Sequence, residues 1–418
     1  MKILMSHPTG NSNVRSTANG FLKAGILAEF DTAIASFPGS SLDYVSKFAP
    51  LSAFRRRGFN SELKEITKTF PYKELGRMVA LKMGIHALIR HESGIFSIDA
   101  VYQNIDHSVS KRVKQKNAKY IDAVYSYEDA AFQTFTQAHK SGKLCFYDLP
   151  IGYWRTARKL LSAEIEKWPE WASTLTGFND SDEKLIRKEE ELKLADRIFV
   201  ASTFTASTLK DFPGTLCPIE VIPYGFPAVN NNKVYSNSFA NRPLKLLFIG
   251  GLSQRKGIAN LFTAVDQVGS RVELTVVGHK PGTSCLALET ALSRHRWIPT
   301  LPHNEILKLM QAHDVLVFPS LFEGFGLVIT EAMSQGTPVI TTDRTAGPDL
   351  ITHGENGWLI EAGSTDALRH IIEELLSDQS IISKAGKAAM EVARKRPWEI
   401  YGEELAGAVI KHSQINLC

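Results

Sequence analysis

Cysteine is scarce in this 418-residue chain. The four present, Cys145, Cys217, Cys285 and Cys418, are far apart and make no C-x-x-C pair and no Cys/His pattern of metal-ligand spacing. That argues against a disulfide framework and a zinc site, and it makes a reducing cytoplasm the expected compartment. Long apolar runs are missing too, so no spanning helix is expected. The opening MKILMSHPTGNS has one Lys and a short apolar start, too little for a secretory leader, and it reads as a first β-strand. The 12 histidines include no H-x-x-x-H pair, so nothing supports metal catalysis and no metal or cofactor is expected. There is no solenoid repeat and no low-complexity tract. A large overall charge is absent as well: the net charge is +4, yet residues 51–120 hold 14 Lys/Arg against 6 Asp/Glu. The stretches FRRRGF and KRVKQK in that region read most simply as solvated surface. Their functional reading is attraction to an anionic membrane, peripherally at its inner face, or to a lipid pyrophosphate. Aromatic residues do not interleave with these charges, so no nucleic-acid partner is expected.

What is present is an alternation of strand-like and helical patterns, the mark of parallel sheets covered by helices. The length exceeds one ordinary core, which makes two domains the expectation. In the first half, Lys2 to Met5 reads as a strand, SHPTGNSNVR as a loop and STANGFLKAGIL as a helix. Further strands are expected at TAIASF, DAVYSY, KLCFYDL and RIFVAS. NDSDE contains a D-x-D string but precedes a helix, so it reads as a cap on Asp180 or Ser181 rather than a metal–diphosphate motif. PYGFPAVNNNKVYSNSFANRP is the clearest linker. Beyond it the pattern restarts, with strands at LKLLFIG, VELTVVG, DVLVFPS and PVITT and helices between them. The expected fold class is α/β, with two Rossmann-like doubly wound domains facing across a cleft: 1–224, 225–392, and a last helix in 393–418, entered through Pro397, crossing back to the first domain. Ligands of such sheets bind beyond the carboxyl ends of the strands.

Two segments fall at such ends. In IGGLSQRKG, Gly250 and Gly251 let a ligand approach the backbone, a helix N-terminus follows, and Arg255 and Lys256 add positive charge. The combination suits a diphosphate, although the loop is neither G-x-G-x-x-G nor a Walker A sequence. In SLFEGFGLVITEAM, Glu323 follows a strand, Gly324, Phe325, Gly326 and Leu327 open a helix, and Glu331 lies inside that helix. Carboxylates there can accept hydrogen bonds from vicinal hydroxyls. The plain alternative is that Glu323 caps the helix and Glu331 sits on its wet face.

The string Glu323-x7-Glu331 in PSLFEGFGLVITEAMSQGTPVI, with IGGLSQRKG upstream, resembles the retaining glycosyltransferases of the GT-B fold, family 4. LADRIFVASTFTASTL, VIPYGFP and AGPDLITHGENGWLI agree with it, and the likeness is dense from about residue 187 to 365. It implies a metal-independent hexosyltransferase whose donor is a nucleotide-diphosphate sugar and whose acceptor is a glycan or lipid-linked glycan. On the same ground Lys256, with Arg255, would stabilise the leaving diphosphate. Glu323 would hold the donor sugar, the backbone at Phe325 and Gly326 its phosphate side, and Glu331 the ribose, with Gly250, Gly251, Gly324 and Leu327 also expected to bind the donor. Family members often carry Arg where this chain has Gly251. The loop after the first strand would supply Gly10, Asn11, Asn13 and Arg15, and Asp148 in CFYDLPIGYWR stands where many members place a His. A nucleotide-sugar epimerase or hydrolase of the same fold, or a non-catalytic nucleotide-sugar-binding protein, is the alternative.

Overall fold

The computed structural model describes residues 1–46, 54, 56–175, 178–235 and 242–415. Arg55 of FRRRGF, the middle of the linker and Cys418 lie outside them. The first sheet contains β1 (Ile3–Ser6), β2 (Leu27–Thr32), β3 (Thr67–Thr69), β4 (Ala123–Tyr127), β5 (Leu144–Leu149), β6 (Arg197–Val200) and β7 (Ile219–Val221). Its order is β3-β2-β1-β4-β5-β6-β7, and every pairing is parallel. The second contains β8 (Leu244–Ile249), β9 (Val272–Val277), β10 (Arg296–Ile298), β11 (Val315–Phe318), β12 (Val339–Thr342) and β13 (Gly357–Ile360), in the order β10-β9-β8-β11-β12-β13, again all parallel. The strand order reverses beside β1 in one sheet and beside β8 in the other, the switch points at which open α/β sheets bind ligands.

The central strands are buried on both faces. Ile3, Leu4 and Met5 are fully buried, as are Leu246, Leu247 and Phe248 and Val315, Leu316 and Val317. This explains why they read as unbroken apolar runs. One strand lies elsewhere than TAIASF: β2 covers LAEFDT. The preceding helix ends at Lys23, with Ala24 as its cap and Gly25 at φ 69°, and the chain turns straight into the sheet. NDSDE is a cap, with Ser181 Oγ accepting from the Lys184 backbone N–H at 3.2 Å.

Among the described residues, helical connections tie the sheets together. The last helix, Trp398–Ile415, lies on the helix Ser12–Lys23 of the first sheet. Their glycines permit it: a Cβ on Gly20 would sit 2.2 Å from the Gly402 carbonyl oxygen. The second connection lies between β5 and β6, where the helix Trp154–Lys167 and the turn Pro169–Thr174 reach over to the second sheet. There Trp171 stacks on Phe262 at 5.9 Å, Gln254 Nε2 donates to Glu164 Oε2 at 2.9 Å and Lys167 Nζ donates to the Gly363 carbonyl at 2.6 Å. Among the described residues no helix is long and apolar enough to cross a membrane.

Candidate functional site

The loop after β8 is shaped by close backbone approaches. Gly278 has φ 158° and a Cβ there would lie 1.8 Å from the Gly250 oxygen; Gly257 has φ 68° and a Cβ there would lie 2.0 Å from the Pro319 oxygen. Neither position accepts a side chain, so the loop 250–257 is pressed against the end of β9 and the loop after β11. Leu321 N–H donates to the Arg255 carbonyl at 2.8 Å and continues the contact. The result is that Arg255 and Lys256 both meet Glu323. Lys256 Nζ pairs with Glu323 Oε2, and Arg255 Nη1 reaches the same oxygen at 3.1 Å while donating to the Phe322 carbonyl at 2.7 Å. Lys256 also lies over the Phe318 ring, 4.8 Å from its centroid.

Burial pushes the Lys256 ammonium below its ordinary value, against the opposing pull of Glu323. It would raise Glu323, but the Lys256 and Arg255 charges outweigh it and hold that carboxyl below the usual range. Two cations converge on one carboxylate at the mouth of a parallel sheet. A polyanion arriving there meets positive charge already desolvated and in place, and a carboxylate beside it able to accept from hydroxyls.

Gly326, at φ 88°, begins the helix Leu327–Ser334. Phe325 is buried against Tyr224, with ring centroids 4.8 Å apart, and its carbonyl accepts from the Ala346 N–H at 2.9 Å. Gly324 closes the cleft on this side: a Cβ there would be 2.0 Å from the Pro150 oxygen, and its own carbonyl accepts from Ser202 Oγ at 2.5 Å and Thr205 Oγ1 at 2.9 Å. Glu331 lies further along the helix. Its Oε1 lies 3.8 Å from His303 Nδ1, and burial raises the Glu331 carboxyl to about 7. Gly250 N–H donates to the Val277 carbonyl at 3.0 Å. The space beside Gly251 is open.

On the first sheet's side, Gly10 packs on Phe59, Asn11 precedes the helix Ser12–Lys23, and Asn13 Nδ2 donates to Tyr224 Oη at 3.3 Å. Through Tyr224, Asn13 is linked to Phe325. Two of the expected residues have other partners in this structure. Arg15 donates through Nε to the Gly58 carbonyl and through Nη2 to the Arg56 carbonyl, both at 2.8 Å; its fork pins down the basic loop instead of being reserved for a phosphate. Asp148 is buried in the interior, accepting from Tyr125 Oη at 2.7 Å near Tyr224 and Tyr401. Burial raises it to about 7. It belongs to a buried tyrosine cluster and not to the cleft lining.

Residues not anticipated from the sequence are His7, Tyr224, Ser202, Thr205 and His303. His7, at the end of β1, receives the Thr9 N–H at 2.9 Å, stands edge-on to Tyr127 at 4.6 Å, and is lowered to about 4 by burial. Its place just after the first strand was a visible signal. The contacts of Ser202 and Thr205 with Gly324 depend on domain closure, which no local pattern encodes. Two groups with metal-like clustering, His139/Cys145/Asp196 and His91/Glu92/Asp180, contain none of the residues of this cleft, and Lys184 already bridges the second through Asp180 at 3.0 Å.

Residues 231–395 match the family model described as Glycosyl transferases group 1. The chain is 29% identical over 195 residues to the D-inositol 3-phosphate glycosyltransferase of Corynebacterium diphtheriae, an alignment covering 43% of this chain and 46% of that protein. It is 28% identical over 192 residues to the capsular polysaccharide biosynthesis glycosyltransferase CapM of Staphylococcus aureus, covering 42% and 49%. The chain thus spans about half the length of the curated relatives it matches. As a fold it is similar over nearly its whole length to solved structures. The sucrose-phosphate synthase of Thermosynechococcus elongatus superposes with a TM-score of 0.66 at 18% identity, covering 99% of this chain and 100% of that one. Anabaena HepE in complex with UDP superposes with 0.62 at 16%, covering 98% and 100%. The fold is therefore the GT-B arrangement of two Rossmann-like domains.

Proposed function

We propose that this chain, a GT-B protein whose second half matches the group 1 glycosyltransferases, is a retaining hexosyltransferase of family 4. It moves a sugar from a nucleotide-diphosphate donor to a hydroxyl of a glycan or lipid-linked glycan without a metal. The observation that carries the reading is the convergence of Lys256 and Arg255 on Glu323 beyond β8 and β11. When a donor binds, its diphosphate oxygens take over the cations, and Glu323, released from them, accepts from the hydroxyls of the sugar. Glu331 accepts from the ribose diol at the other end. As the glycosidic bond breaks, negative charge grows on the leaving diphosphate, where Lys256 and Arg255 are already aimed, so they bind the transition state better than the ground state. The leaving oxygen on the same face can take the acceptor proton, which keeps the new bond on the side of the old one. The contact of Gly324 with Pro150, Ser202 and Thr205 excludes water while this happens.

The test is release of nucleoside diphosphate from a panel of nucleotide sugars, with and without glycan acceptors. Acceptor-dependent release is expected, and Lys256→Ala should lower kcat by about 10²- to 10³-fold, the usual cost of removing one preorganised charge-stabilising contact. Release of free sugar alone would favour a hydrolase. Undiminished transfer by the variant would sink the assignment of Lys256.

A further inference from the structure

The first domain carries an apolar surface that its core does not use. In the helix Tyr72–Met83, the residues Tyr72, Leu75, Val79 and Met83 fall within one narrow stripe, and their exposures are 69, 39, 56 and 67%. The patch continues past the helix. Gly76 lies against the Phe96 ring, Tyr72 is edge-on to that ring at 5.8 Å, and Ile95 and Ile98 beside it are 56 and 58% exposed. Residues 81–87 are exposed throughout, so the helix end and the turn after it protrude. A contiguous exposed patch of large apolar side chains marks an interaction surface.

The charges around it choose the occupant. Lys82, next to the stripe on the helix surface, and Arg90 in the following turn are exposed. The two carboxylates of residues 72–98 are engaged elsewhere: Glu74 with Arg57 and with Arg77 at 2.7 Å, and Glu92 with the Ser181 N–H at 2.9 Å. The patch is thus apolar with a basic rim, within the region that holds 14 Lys/Arg against 6 Asp/Glu. Two copies of the chain meeting through it would bring like charges together. An anionic lipid surface satisfies both parts, taking apolar side chains below the headgroups and cations at their level.

We propose that the helix Tyr72–Met83 and the turn after it dock this protein on anionic membrane, with Leu75, Val79, Met83 and Ile95 entering the headgroup–acyl boundary. The helix is tethered to the cleft side of the first sheet, because Glu74 on its other face holds Arg57, and the carbonyls of Arg56 and Gly58 flanking Arg57 accept from Arg15 at 2.8 Å. Docking would therefore set the acceptor side of the cleft against the bilayer. That consequence, a membrane-borne acceptor, rests on the glycosyltransferase reading, whereas the docking surface does not.

The test is flotation of the full chain with phosphatidylglycerol/phosphatidylcholine vesicles and with phosphatidylcholine vesicles, alongside sedimentation without lipid. The wild type should float with the anionic vesicles and lose them at high salt. Val79→Glu/Met83→Glu should weaken partitioning about tenfold or more, from the apolar burial forgone. Lys82→Glu/Arg90→Glu, which leaves every apolar side chain in place, should weaken it at low salt only. A thermal shift with nucleoside diphosphates reports separately on the cleft and should be unchanged in both variants. Failure of the wild type to float, flotation of Val79→Glu/Met83→Glu equal to wild type, or a dimer that this variant dissolves would each overturn the proposal. Loss of the diphosphate shift in the wild type would instead count against the glycosyltransferase reading.

Discussion

Glu323 and Glu331 share one short segment and lie in opposite electrostatic settings. Glu323 is held charged by two cations, whereas Glu331 is pushed from 4.5 to about 7 by burial with little to offset it. The sign follows from proton counting. Between pH 4.5 and 7 the folded chain keeps a proton on Glu331 that the unfolded chain has released, so this group lowers stability as pH rises through that window. The slope is at most about 1.4 kcal/mol per pH unit. Glu331→Gln removes it, and urea melts should show the variant level with wild type near pH 5 and more stable near pH 8. Donor binding should run the other way. In the proposed role, ribose hydroxyls would donate to the ionised carboxylate and lower its pKa in the complex, so wild-type affinity for nucleoside diphosphate should climb as pH rises through about 7. The variant should be flat with pH and about 10- to 100-fold weaker, the worth of hydrogen bonds to a charged group. Calorimetric titration at two pH values measures this, and equal affinity in variant and wild type would remove Glu331 from the site.

At the level of the elements, the helix Leu327–Ser334 can start where it does only because Gly326 adopts φ 88°, with room for a Cβ limited by the Phe318 ring at 2.9 Å. Gly326→Ala should therefore cost about 1–2 kcal/mol of left-handed strain. It should also displace the helix start from Glu323, lowering kcat/KM about 10- to 100-fold through misplacement alone. Gly251→Ala is the control for folding: its Cβ meets open space, and the melting temperature should stay near wild type. The same physics decides what the sequence revealed. Strands such as β8 and β11 were legible because both their faces are buried and their apolar runs are unbroken. The edge strands β3, β7 and β10, as TKT, IEV and RWI, are short and partly exposed, and they carried no such signal. LAEFDT was concealed by the helix before it, with only Gly25 to mark the stop. In the site, Lys256 and Glu323 were readable because glycines and strand ends fix their loops locally. The placements of Arg15 and Asp148 were not, since each depends on partners more than 20 residues away, Gly58 and Arg56 for one and Tyr125 for the other.

At the level of the whole molecule, the proposed function would have the two sheets separate to admit a donor and approach to exclude water, so that whatever spans them would govern the rate of both steps. The crossing segment Pro169–Thr174 is the clearest such span. It comes from the first domain between β5 and β6, yet Trp171 is only 6% exposed, sunk among second-domain residues against Phe262. Beside it the Gln254 N–H donates to Thr174 Oγ1 at 2.9 Å, one residue before Arg255. The closed arrangement is thereby coupled to the loop that carries Arg255 and Lys256. Trp171→Ala removes a ring whose deletion from a packed site costs about 3–5 kcal/mol, and here that loss falls on the contact between domains as well as on the second core. The variant should melt at lower temperature, show a larger radius of gyration in solution scattering and bind donor with a raised KM. Water should also reach the open cleft more often, so free sugar should form a larger fraction of its product. Trp171→Phe keeps an aromatic face for Phe262 and should recover most of the KM. If Trp171→Ala melts earlier but keeps wild-type dimensions, KM and product ratio, the segment is packing alone, and closure of the cleft is held by the Gly324 contacts and the last helix.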